Sequence, residues 1–126
     1  MRFAAKVQNG YAKYFNIRQS RCGAVFQAMY KCAYIETDEQ LLHVSRYIHL
    51  NHYSSGMVHS YASLARYPWS SFCIYAGNAP AEWVETETLL GRMGSKERLM
   101  QFTFDQADYQ RHLSILSHLY HDEENM

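Results

Sequence analysis

The sequence predicts an α+β fold that is mainly helical. Three observations predict it. Apolar residues recur at three- and four-residue steps in several segments, the period of an amphipathic helix. One run, AVFQAMYKCAYIE at residues 24–36, is rich in aromatic and β-branched types with partial alternation, which suits a strand. Clusters of Gly, Ser, Asn and Pro punctuate the chain between these runs.

Taken in order, residues 2–16 predict a first helix. Phe3, Val7, Tyr11, Tyr14 and Phe15 fall on one face and Lys6 and Lys13 on others, although Gly10 weakens it. NIRQSRCG at 16–23 reads as a polar loop, and the strand is placed most firmly over Tyr30–Ile35. The next helix runs from Thr37 to Gly56. Thr37 and Gln40 form a capping box, and Asp38 and Glu39 suit the positive end of the helix dipole. Ser54, Ser55 and Gly56 end it.

On that helix Leu41, Val44, Ser45 and Ile48 form the expected buried stripe. His43, Tyr47 and Asn51 stack beside it one turn apart, within reach of a common small site. His49 points nearly the opposite way. Residues 57–71 look irregular, with a boundary at Tyr67-Pro68 because the residue before proline avoids helix. Pro68 opens a short helix at 69–76, with Trp69, Phe72 and Tyr75 facing inward. Three further helices are expected at about 84–92, 95–102 and 106–120, the last with Tyr109, Leu113, Leu116 and Tyr120 as its apolar stripe. The acidic end, HDEENM, is expected to fray.

A chain of 126 residues with 48% hydrophobic residues is long enough for a modest core. Its net charge of zero hides an asymmetry. Residues 1–35 hold Arg2, Lys6, Lys13, Arg18, Arg21 and Lys31 and no acid, whereas residues 36–126 carry six bases against twelve acids, a net −6. A basic N-terminal third fits an anionic partner or an ordinary solvated surface. Cys22, Cys32 and Cys73 show no C-x-x-C spacing, which fits reduced thiols in the cytoplasm. No apolar run approaches the roughly 20 residues of a membrane span, and MRFAAKVQNG lacks the apolar region of a secretory signal.

Seven histidines form neither H-x-H nor H-E-x-x-H. His118 and His121 stand three apart, but a solvated helix end accounts for them better than a metal does. There is no glycine-rich phosphate loop and no G-x-S-x-G. On spacing alone, Tyr47 reads more simply as a core-edge tyrosine with a satisfied hydroxyl.

A series of short motifs changes that weighting. YAKYFN (11–16), R-x-G-x-x-F-Q (21–27), YK (30–31), RYIHLN (46–51), SSGMV (54–58) and YPWSS (67–71) stand in order over residues 1–77. Together they resemble the REP-associated tyrosine transposases, single-tyrosine HUH transposases of small bacterial insertion sequences. The resemblance implies a ferredoxin-like HUH domain and DNA transposition by cutting and rejoining single-stranded DNA near hairpins. It implies that Tyr47 is the nucleophile, left covalently linked to a 5′-phosphate. It also implies that Asn51 helps to hold a divalent metal, Mg²⁺ or Mn²⁺.

Two departures qualify this. The family's histidine–hydrophobic–histidine pair lies upstream of the region matching YAKYFN and has no counterpart here, and His52 stands where the family often has proline. The expectation is therefore the C-terminal part of such a domain at 1–78, with a helical C-terminal appendage at 79–126 and the metal not held by this chain alone. Partners follow as single-stranded or hairpin DNA, with Lys13, Arg18, Arg21, Lys31 and Arg46 as candidate phosphate contacts. Tyr14 or Phe15 fits a base-stacking role less well than core packing. An unpaired edge on the Tyr30–Ile35 strand would favour a homodimer. The alternatives are a catalytically inactive DNA-binding remnant and a helical interaction domain with no nucleic-acid role.

Overall fold

Seven helices account for the regular structure of the computed structural model, which describes residues 2–27 and 30–124. They are α1 (Arg2–Arg18), α2 (Asp38–Ser54), α3 (Tyr61–Arg66), α4 (Phe72–Tyr75), α5 (Glu87–Met93), α6 (Lys96–Phe104) and α7 (Ala107–Glu124). The chain divides by packing into two units, Met1–Tyr34 and Ile35–Met126. The boundary expected at residue 78 follows the motifs; the packing break falls earlier, between Tyr34 and Ile35.

The mainly helical expectation holds, but the strand does not form. Residues 30–36 carry no regular structure, and no residue among those described is in a strand; Ala28 and Met29 lie outside the described residues. Aromatic and β-branched content is a preference for a half-buried pleated surface, not a backbone drive. With no neighbouring strand, the amide groups of this run have no ladder to join.

In the first unit, α1 follows the expected period but buries nothing. Phe3 is 82% exposed and Tyr14 55%. Its last turn is closed by the loop that follows. Ser20 and Gly23 take positive φ, which turns the chain back. Asn16 Nδ2 donates to the Gly23 carbonyl at 2.9 Å, and the Phe26 ring approaches Tyr11 at 6.3 Å between centroids.

In the second unit, α2 is the central helix, and α3, α5, α6 and α7 all pack on it. Its start is local chemistry. Thr37 Oγ1 accepts from the Gln40 amide at 3.1 Å. Gln40 Oε1 accepts from the Glu36 amide at 2.9 Å, so the box closes one residue further back than its usual form. At its other end Gly56 takes a φ of +80°, a conformation that favours glycine.

The buried face of α2 differs from the expected one. His49, Leu50, Tyr53 and Ser54 are buried, while Ile48 is 53% and Val44 36% exposed. The core forms where α3, α4, α6 and α7 meet α2. Leu50, Leu64, Phe72 and Ala107 are sealed there, with Phe104 and Tyr61 packed against them. Tyr75, Leu89 and Leu99 make a second cluster beside Leu41 and Leu42. The helix therefore turns its aromatic and histidine side inward, because that is the side on which partner helices arrive.

Residues 57–71 are not wholly irregular. Ser60 caps α3, accepting from the Ser63 amide at 3.1 Å. The helix expected at 69–76 begins only at Phe72. Phe72 and Tyr75 face inward as expected, but Trp69 is 81% exposed because it precedes the first helical turn. The three C-terminal helices fall where the apolar period puts them. The Leu116 and Tyr120 side chains, like those of the whole acidic end, lie outside the described residues. Among the described residues no helix is long and apolar enough to cross a membrane.

Candidate functional site

Between α2 and α7 lies a cleft of about 640 Å³, within the roughly 300–1,000 Å³ usual for small-ligand sites. One wall is α2, with His43, Arg46, Tyr47, Asn51 and His52. The other is α7, with Tyr109, Gln110, Leu113 and Ser114, and with Gln106 just before it. The i,i+4 spacing of His43, Tyr47 and Asn51 brings all three to this one wall. Tyr47 is 60% exposed, so its ring is presented to the cleft and not to the core.

Two ties fix the geometry. Gln110 Nε2 donates to the main-chain carbonyl of Tyr47 at 3.1 Å, which joins α7 to the turn that carries the tyrosine. On the same helix as Gln110, Asp108 accepts from Tyr53 Oη at 2.6 Å and from Tyr61 Oη at 3.2 Å. The bond to Asp108 and partial desolvation push the Tyr53 hydroxyl pKa up, since both oppose a phenolate. For Tyr61 burial acts first and Asp108 adds to it.

Arg46 makes two side-chain contacts. Its guanidinium lies 4.2 Å from the centre of the Phe102 ring, and its Nη2 stands 2.8 Å from His43 Nδ1. A guanidinium only donates, so His43 Nδ1 accepts. That leaves the ring proton on Nε2, towards Glu39 Oε1 at 3.6 Å. Burial lowers the Arg46 pKa, partly offset by Asp105; a guanidinium remains charged throughout.

Among the described residues, none that lines the cleft is Asp or Glu, although residues 36–126 as a whole are acidic. The lining therefore offers a cation, a phenol, amides and hydroxyls, groups that can meet an anion, although Asp105 acts on Arg46 and Glu39 stands beside His43. Comparison with family models, curated proteins and solved structures finds no match. The cleft rests on its own geometry.

The same donors do not fit a resident divalent ion. Asn51 supplies one neutral oxygen, and no three His, Cys, Asp or Glu side chains converge among the described residues. Mg²⁺ demands near-octahedral oxygen ligation. His52 packs its ring 4.4 Å from that of Tyr67 and leaves Nδ1 buried without a partner, but one imidazole nitrogen does not complete a ligand set.

Of the expected site residues, Arg46, Tyr47 and Asn51 come together in this cleft. Lys13, Arg18, Arg21 and Lys31 belong to the first unit, and all four are exposed. Arg18 Nη1 donates to Tyr14 Oη at 2.9 Å. Arg21 Nη2 donates to the Ala24 carbonyl at 3.3 Å, and the guanidinium carbon lies 5.5 Å from the Phe15 ring centre. The α7 wall escaped sequence reasoning. Its only signal was Tyr109 and Leu113 at helical spacing, which reads as a core stripe, yet Tyr109 is 62% and Leu113 46% exposed.

Proposed function

We propose that this chain acts on single-stranded DNA in the manner of a REP-associated tyrosine transposase, with Tyr47 as the nucleophile. The observation that supports it is the exposed Tyr47 ring beside Arg46 and Asn51 in a cleft lined, among the described residues, by no Asp or Glu. Tyr47 Oη attacks the phosphorus of a phosphodiester and loses its proton to solvent. The P–O3′ bond breaks, the 3′-oxygen takes up a proton, and the 5′-phosphate stays on the tyrosine. Attack by a 3′-hydroxyl reverses the step and rejoins the strand. A phenol with pKa near 10 is a weak nucleophile at neutral pH, so charge on the phosphate has to be neutralised, and in this reading Arg46, which lines the same cleft, supplies the cation.

The ferredoxin-like sheet of the resemblance has no strand among the described residues, so the reading rests on the site and the motifs and not on the fold. A second reading is favoured by the incomplete metal donor set: DNA binding without cutting. Incubation with hairpin-bearing single-stranded DNA in Mg²⁺ or Mn²⁺ separates the two. A covalent protein–DNA adduct that disappears in Tyr47→Phe is expected from the first. Salt-sensitive binding with no adduct, unchanged in Tyr47→Phe, supports the second. No binding at low salt sinks both and leaves a helical interaction domain.

A further inference from the structure

We propose that α7 seats a nucleobase: the ring of Tyr109 stacks on the base of a nucleotide whose phosphate lies against Arg46 and Tyr47. The proposal rests on the DNA reading above and adds the part of the ligand that the α2 wall leaves unaddressed.

The cleft keeps two kinds of chemistry apart. The α2 wall carries the cation, the phenol and an amide, which suit a phosphate. The α7 wall carries Tyr109 and Leu113 at i,i+4, both exposed, flanked by the amides of Gln106 and Gln110. A flat apolar strip edged by groups that both donate and accept suits the face and the edge of a base. A nucleotide presents the same division, with an anionic group at one end and a flat π-face at the other. The two walls also hold a fixed relation, because Gln110 bonds the Tyr47 carbonyl through Nε2. Every base has a π-face, so the stacking tolerates sequence, and the Gln106 amide is placed to add preference.

The test uses the full chain and a fluorescent oligothymidylate, with a second oligothymidylate carrying one 5-iododeoxyuridine for photocrosslinking. Tyr109→Ala is expected to weaken binding by about five- to a hundredfold, and Tyr109→Phe, which keeps the ring, to restore it. The crosslink is expected on Tyr109. Tyr109 is exposed, and circular dichroism confirms that the alanine variant keeps its helices. Binding unchanged in Tyr109→Ala, or a crosslink mapping elsewhere, overturns the proposal even where the Tyr47 adduct forms. Loss in Tyr109→Ala with rescue by Tyr109→Phe upholds it even where no Tyr47 adduct appears. Absence of any oligothymidylate binding overturns it together with the DNA reading.

Discussion

Tyr53 on α2 and Asp108 on α7, 55 residues apart in the chain, are joined by a 2.6 Å hydrogen bond. The same carboxylate takes the Tyr61 hydroxyl, and the Arg111 guanidinium lies 5.1 Å from the Tyr53 ring centre. One acidic side chain thus ties α3 and α7 to α2 and fixes where α7 stands as the wall of the cleft. Asp108→Ala leaves two phenols without their acceptor, one of them buried. The expected loss is about 1–3 kcal/mol of unfolding free energy, read by urea denaturation. In a double-mutant cycle with Tyr53→Phe, the double variant should lose less than the sum of the two single losses, and additive losses would mean that the bond contributes nothing.

His49 predicts an acid-sensitive fold. It is 3% exposed, sits against the rings of Phe72 and Tyr75 at 5.2 Å each, and bonds Ser71 Oγ through Nε2 at 3.1 Å, with Nδ1 unpartnered among the described residues. Burial pushes its pKa down to about 4 from the usual 6.5. The unfolded chain therefore binds this proton more readily than the folded one. Stability is full above pH 6.5, falls as pH drops towards 4, and then levels off. The total loss from this residue is about 3 kcal/mol. His49→Leu, similar in size and never charged, should flatten that limb when urea midpoints are compared at neutral and mildly acidic pH. A variant with the same acid slope as the parent would assign the loss to other groups.

What the sequence revealed and what it concealed divide along the range of the interaction. The start of α2 was legible because Thr37, Gln40 and Glu36 settle it among themselves. Its ridge of His43, Tyr47 and Asn51 was legible because helical period alone puts three such residues on one side. Its buried face was not. Leu41, Val44 and Ile48 look more apolar than His49, Tyr53 and Ser54, yet the second set faces α3, α4 and α7, and helix period does not say where neighbours will come from. The Tyr30–Ile35 run had strand-like composition and no partner. Thr103 looks like a surface residue and is sealed in the core, its hydroxyl bonded to the Leu99 carbonyl at 2.8 Å. The α7 wall depends on Asp108 and Gln110, whose partners no spacing rule connects to them.

The basic first unit predicts a salt signature under the DNA reading. Arg18 and Arg21 spend part of their donor capacity on Tyr14 and Ala24, but each guanidinium has five N–H groups and both residues are exposed. Removing a side chain that neutralises one phosphate should reduce the slope of log affinity against log salt by about 0.7 for a single strand. Lys13→Ala, Arg18→Ala, Arg21→Ala and Lys31→Ala, titrated separately by fluorescence anisotropy, should therefore sort into those that change the slope and those that do not. A slope unaltered by all four would confine DNA binding to other residues.

Arg46→Lys distinguishes a positioned cation from a mere positive charge. Lysine keeps the charge, so long-range attraction of an anion and its screening by salt should hardly change. It loses the planar face that lies on Phe102 and the fork that reaches His43. The fold should weaken only by about 0.5–1 kcal/mol, the worth of an exposed cation–π interaction. Under the DNA reading, affinity for a single-stranded oligonucleotide should fall further than that, because a mobile ammonium would no longer meet a phosphate from the seat on Phe102. Arg46→Ala, lacking charge as well, should lower both affinity and salt slope. If lysine binds as well as arginine while alanine does not, charge alone is what the cleft supplies, and the seat on Phe102 has no part in holding the ligand.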